Sequence, residues 1–260
     1  MVFLYLGLNL CERSAMSTKK PTIWLLDEYK LSRDSWWFRL GIPKTLDFSR
    51  FFSLQSEEND TEERKREWRN MLDQILQVID IYNKHDPLPQ NKLPQVMYAD
   101  FKEMYAKFPK ENLVELPSFF KISSGFIIIT EQLAELLGDF RLGSTQISPV
   151  KLYEKSTSEL LSEQTFYFIN ACEKHSYLLP EKCDASLELV SRGGYNLYRH
   201  PSDKEKAKKY CFSQCAMNCP VDIWHDPMVE NSTFLSEPLQ QAIKKAGLNK
   251  GFSWFSYILV

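Results

Sequence analysis

The chain predicts an α+β fold: a mixed, mainly antiparallel sheet with flanking helices and a helical N-terminal portion. Three observations carry that prediction. One long apolar stripe at helical spacing stands early in the chain, short alternating segments follow beyond Leu116, and a well-capped helix near the end is followed by a final strand.

The elements follow in order. Thr22-Ile-Trp-Leu-Leu is a short first strand, and the aromatic trio Trp36, Trp37 and Phe38 sits in the loop after it. A helix runs from about Thr61 to Tyr82. Asp60 is placed to cap it, with Glu63 completing a capping box. Trp68, Met71, Leu72, Ile75, Leu76, Ile79 and Tyr82 form its apolar face. Pro87 ends it by biasing Asp86 away from helical angles, and the Pro-rich stretch to Pro94 marks a boundary. A second helical pattern carries Phe101, Met104, Tyr105 and Phe108, and Pro109 stops it. Phe126–Ile129 is a buried strand, with Thr130 capping a short helix over Glu131–Leu137. Thr145–Glu154 and Phe166–Cys172 alternate as strands around a polar loop, and Ser191-Arg-Gly-Gly turns a hairpin. Asp203–Lys209 is a loop or a short surface helix. Ser236 caps the closing helix, Pro238 fits its first turn, and Lys244 and Lys245 complement its dipole. Gly247 supplies the left-handed exit, and Leu239, Ile243 and Ala246 face the core.

This reading divides the chain into an over-extended start at residues 1–15, a helical portion over 16–90 and an α+β domain over 91–260. The apolar run of the first segment is far shorter than the ~20 residues a membrane span needs. It also lacks the charged n-region of a signal peptide, and Met16-Ser-Thr-Lys-Lys reads as a cytoplasmic start. Hydrophobic residues at 43% and charged residues at 25% mark an ordinary globular chain. A net charge of -2 favours neither a nucleic-acid binder nor an acidic mimic of nucleic acid. Aromatic residues reach 13%, enough to fill a core and still leave interface anchors. The six cysteines read as reduced thiols in a cytoplasmic protein.

Cysteine chemistry gives two alternatives to a binding function. Cys211, Cys215 and Cys219 at helical spacing could share one face, and His200 or His225 could complete a tetrahedral metal set. Their spacing differs from the closer pairs of zinc sites, and a second pair is missing from the sequence. Cys172 and His175 invite a thiol-hydrolase reading. An odd separation puts them on opposite faces of a regular strand, and no orienting third group or oxyanion donor is specified. Arg192-Gly-Gly is too short for a phosphate loop, and Asp184, Asp222 and Asp226 have no acid/base spacing. No catalytic residue and no cofactor is therefore expected.

Three ordered blocks carry a more specific signal. They are FIIITEQLAELLGDFRLGSTQISPVKLYE, FYFINACEKHSYLLPEK and DIWHDPMVENSTFLSEPLQQAIKKAGLNKGF. Together they resemble immunity protein family eleven of bacterial polymorphic toxin systems, first catalogued as a domain of unknown function. The resemblance covers roughly residues 90–260. It implies a cytoplasmic protein without catalytic residues that binds and neutralises a cognate toxin, a nuclease being one such partner. It implies no direct contact with nucleic acid or membrane. Trp36 and Trp37 are the expected contact residues.

Overall fold

The structure, a computed structural model, describes residues 22–26, 38–41, 61–99, 117–122, 126–154, 159–160, 162–192, 195–249 and 252–260. The fold is α+β, with mainly antiparallel sheets. A six-stranded sheet has the order β2-β3-β6-β7-β5-β4. Its strands are β2 (Phe38–Gly41), β3 (Val96–Ala99), β4 (Phe119–Lys121), β5 (Ile127–Thr130), β6 (Gln146–Glu154) and β7 (Phe166–Asn170). Only the β3–β6 pairing within it is parallel. A four-stranded sheet has the order β10-β11-β1-β12, from β1 (Thr22–Leu26), β10 (Ile223–Trp224), β11 (Phe234–Leu235) and β12 (Trp254–Ile258). The pair β8 (Leu189–Arg192) and β9 (Tyr195–Tyr198) makes a separate hairpin.

Burial on both sides explains why the run Phe126–Ile129, which leads through β5, is apolar. Phe126 and Ile128 point into one core, Ile127 and Ile129 into another, so both faces of the sheet are covered. Helix α1 (Glu62–Asn83) covers the first face through Met71, Ile75 and Val78. Helices α2 (Glu131–Leu137) and α4 (Glu237–Lys245) fill the second, where Leu133, Leu137, Leu239 and Ile243 join Leu26, Ile223 and Leu235 of the four-stranded sheet. The outer face of that sheet, with Ile23, Leu25, Trp224 and Phe234, packs on Leu178, Tyr210 and Phe212. Helix α3 (Lys204–Ala207), capped by Asp203, lies beside this third core through buried Ala207.

Several details differ from expectation. The cap of α1 is Thr61, whose hydroxyl accepts from Arg64 N at 3.3 Å, while Asp60 lies outside the described residues. Leu76 is 52% exposed, because Val78 rather than Leu76 falls on the buried side. Thr130 precedes α2 but makes no side-chain cap bond; its hydroxyl is buried without a partner. Ala246 is exposed and Gln240 is buried in its stead, since α4 ends one residue before Ala246. Phe38 opens strand β2 rather than continuing a loop. The N-terminal portion contributes β1 and β2 as well as α1. The helical pattern over 101–108 lies outside the described residues, as does the segment 1–15.

The Pro-rich stretch after α1 is pinned to the sheet. Leu88 and Leu93 are buried in the core that α1 shares with β5, β6 and β7. The Gln146 amide exchanges two bonds with the Leu88 backbone, at 2.7 and 2.8 Å, and Asn170 donates to Asp86 O at 3.0 Å. The division at residue 90 therefore runs through a common core.

Candidate functional site

The densest polar structure in the described residues is built around the Asp222–Asp226 run. β10 and β11 pair through Trp224 and Phe234, which leaves a loop over residues 225–233. Asp226 organises it from a fully buried position. One carboxylate oxygen accepts from Tyr177 N and Leu178 N at 2.8 and 2.9 Å, and the other accepts from Met228 N at 3.0 Å. Burial pushes this carboxyl above its ordinary range despite the three donors, which pull the other way. The Ser232 hydroxyl accepts from Asp226 N and donates to Asp226 O, closing the loop on itself.

His225 and His85 meet face to face beside this loop, ring centroids 3.6 Å apart and planes inclined by 19°. His225 Nδ1 lies 2.7 Å from Ser232 O, and His85 Nδ1 lies 3.0 Å from Ala171 O. A carbonyl can only accept, so each Nδ1 carries a proton and donates it to its carbonyl. Burial, then the neighbouring His85, pushes the His225 pKa down to about 3, so the ring stays neutral. His85 reaches its place through a left-handed backbone (φ 53°) at the end of α1. His85 N donates to Tyr82 O and Asp86 N to Ile81 O, the bonding of a Schellman exit.

Two further links fasten the site. The buried Asp222 carboxylate takes Arg141 in a two-pronged grip at 3.1 Å from each side and also accepts Arg141 N at 2.9 Å. Burial raises this carboxyl, but the bonds from Arg141 outweigh it and hold the group below its usual range. Glu173 accepts from Ser144 N at 2.6 Å, the chief cause of its lowered pKa, and its second oxygen meets His175 Nε2 at 3.3 Å. The backbones of residues 173–175 and His225 also bond to each other, at 2.7 and 3.0 Å. The arrangement is a set of closed hydrogen-bond circuits, and its chemistry is that of a rigid joint.

The cysteines are placed otherwise than a site requires. Cys211, Cys215 and Cys219 do not share a helical face, because only Gln214–Asn218 is helical and that turn is 3-10. Cys211 N donates to Cys183 Sγ at 3.4 Å, while Cys219 is buried in the third core. Among the described residues no group of three or more His, Cys, Asp or Glu side chains is arranged to hold a metal, and the described cysteines are free. Cys172 is buried with its thiol donating to Asn170 O, and burial pushes its pKa up to about 11, away from the thiolate. His175 turns to Glu173 instead. Strand β7 ends at Asn170, before either residue. Trp36 and Trp37 lie outside the described residues. Sequence reasoning did not single out His85, Arg141 or Ser232. Their partners lie 86, 81 and 7 positions away, and only the last separation is short enough to read locally.

Three of the surface clefts among the described residues stand out. One of about 570 Å³ mixes Lys121, Arg199, Lys206 and Lys209 with Glu188 and Glu230, and an Arg199–Glu188 ion pair at 3.1 Å partly neutralises it. A smaller one of about 160 Å³ lies over His85 and Asn231. The third, about 690 Å³, runs along β12. No helix among the described residues is long and apolar enough to cross a membrane. Set against known protein families and curated proteins, the chain matches none.

Proposed function

We propose that this chain is an immunity protein that binds and neutralises a cognate antibacterial toxin, acting in the cytoplasm without a cofactor or catalytic residue. What supports the reading is the order of residues 126–154, 166–182 and 222–252, which we read as resembling immunity protein family eleven. Their spatial arrangement supports treating them as one unit. Asp222 of the third block grips Arg141 of the first, and Asp226 of the third holds Tyr177 and Leu178 of the second. Such joints suit a scaffold that must present a fixed surface, since preorganisation lowers the cost of association. A self-protecting complex has to be tight, and tight complexes commonly bury about 1,600 Å² around a few anchors.

The test is co-expression with the toxin encoded beside it, a nuclease being one class such a toxin could belong to. Survival of the cells and co-purification of the pair are the expected results. Loss of both would sink the reading.

A further inference from the structure

Cys183 and Cys211 stand 28 positions apart, and the fold brings one against the other. Residues 177–179 run antiparallel to 211–213, tied by Leu179 N to Cys211 O and Ser213 N to Tyr177 O, each at 2.8 Å. The 3-10 turn Pro180–Lys182 then folds the chain back, and Asp184 N donates to Lys209 O at 3.0 Å. Cys183 sits between those ties. Its Sγ accepts from Cys211 N at 3.4 Å and donates to Leu179 O at 3.3 Å.

With an N–Cα bond of about 1.5 Å, that sulfur lies within about 5 Å of the Cys211 Cα. A disulfide joins Cα atoms about 5.5–6 Å apart, so the approach is of the order a bond needs, and rotation of the two side chains is the remaining adjustment. The two thiols differ in setting. Cys211 is half-buried and lines the 690 Å³ cleft, which gives a small oxidant a path to it. Cys183 is half-buried as well, and burial pushes its pKa up, which suits a thiol that resolves rather than one that attacks first.

We propose that Cys183 and Cys211 are an oxidant-responsive pair, which hydrogen peroxide converts to a disulfide within the folded chain. The Cys211 thiolate attacks one peroxide oxygen; an S–O bond forms, the O–O bond breaks and hydroxide leaves. The Cys183 sulfur then attacks the sulfenic sulfur of Cys211. The S–S bond forms, the S–O bond breaks, and the Cys183 proton departs with the hydroxyl as water. The thiols give up two electrons and the peroxide becomes water; two molecules of glutathione, oxidised to their own disulfide, restore the pair. The bond closes the loop 184–210, which carries β8, β9 and α3 and supplies Ser186, Glu188, Arg199 and Lys206 to the 570 Å³ cleft. It staples that loop at its base and limits how it opens. This property stands apart from toxin binding and does not depend on it.

The test treats the full chain with hydrogen peroxide, blocks the remaining thiols by alkylation and maps the unreduced protein by mass spectrometry. Trypsin releases Cys183 within residues 183–192 and Cys211, Cys215 and Cys219 together within 210–244, so fragment ions and variants place the partner. We expect these two peptides linked through Cys211, the link undone by dithiothreitol, and a melting temperature above that of the reduced chain. Cys215→Ser should keep the link. Cys183→Ser should lose it and leave Cys211 as a sulfenic acid that dimedone traps. Mapping of the wild-type chain decides the pairing even where a variant fails to fold. Cys183 recovered alkylated, Cys183 linked to another cysteine or to a second chain, or a link that forms only in urea overturns the proposal. Equal melting of the linked and reduced chains overturns the stapling of the loop.

Discussion

At the scale of single residues, the most consequential group is Asp226. Its two oxygens satisfy three backbone N–H groups in a place water does not reach. Asparagine is isosteric but has one acceptor oxygen, so its amide must face a donor. Asp226→Asn should therefore cost about 1–3 kcal/mol, and Asp226→Ala more, because all three donors lose their partner. Urea unfolding of the Asn variant at the wild-type midpoint would contradict this account. Gly143 is the second such position. Its φ of 58° disfavours a side chain, and an added Cβ would lie 2.3 Å from Glu173 Oε1. Gly143→Ala should lose about 1–3 kcal/mol. It should also raise the Glu173 pKa, which carboxyl titration by NMR would reveal; an unmoved titration would mean that the neighbouring Ser144 bond survives.

Elements are decided by which face they bury. Helix α1 has Ile75 in the core and Leu76 half in solvent, adjacent residues of the same kind. Ile75→Ala should cost about 2–4 kcal/mol and Leu76→Ala within about 0.5 kcal/mol. Equal losses at the two positions would show that the helix is rotated from the orientation described. The end of the same helix shows how an element hands over to a site. A non-glycine residue holds the left-handed exit there, and its ring is used, stacked on His225 and bonded to Ala171.

For the whole molecule, pH is the informative variable. His225 has a folded pKa of about 3 against about 6.5 in an unfolded chain, so the fold excludes a proton that the unfolded chain binds. Its contribution is complete above about pH 6.5 and is lost as the pH falls toward its folded pKa. Asp222 and Glu173, both lowered, add to the loss below about pH 4. Asp226 opposes it, since a raised carboxyl pKa favours the fold as it protonates. The unfolding midpoint in urea should therefore begin to fall near pH 6.5, well above the carboxylate range. His225→Asn should flatten that upper part of the profile. A midpoint constant down to pH 4 in the wild type would remove the buried neutral imidazole from this account.

Much of this was legible in the sequence because it is local. The cap at Ser236, the left-handed Gly247, the apolar run Ile127–Ile129 and the β8–β9 hairpin each depend on a few adjacent residues, whose stereochemistry leaves little choice. What the tertiary structure decided are the long-range matters. Leu76 and Val78 exchange roles because the buried side is set by where the sheet lies, and periodicity alone does not fix the centre of an apolar stripe. The cysteine triplet does not share a helical face because its segment is mostly not helical, so helical spacing in sequence does not become a common face in space. The His85–His225 stack and the Arg141–Asp222 grip join residues far apart in the chain, and only packing brings such groups within bonding distance.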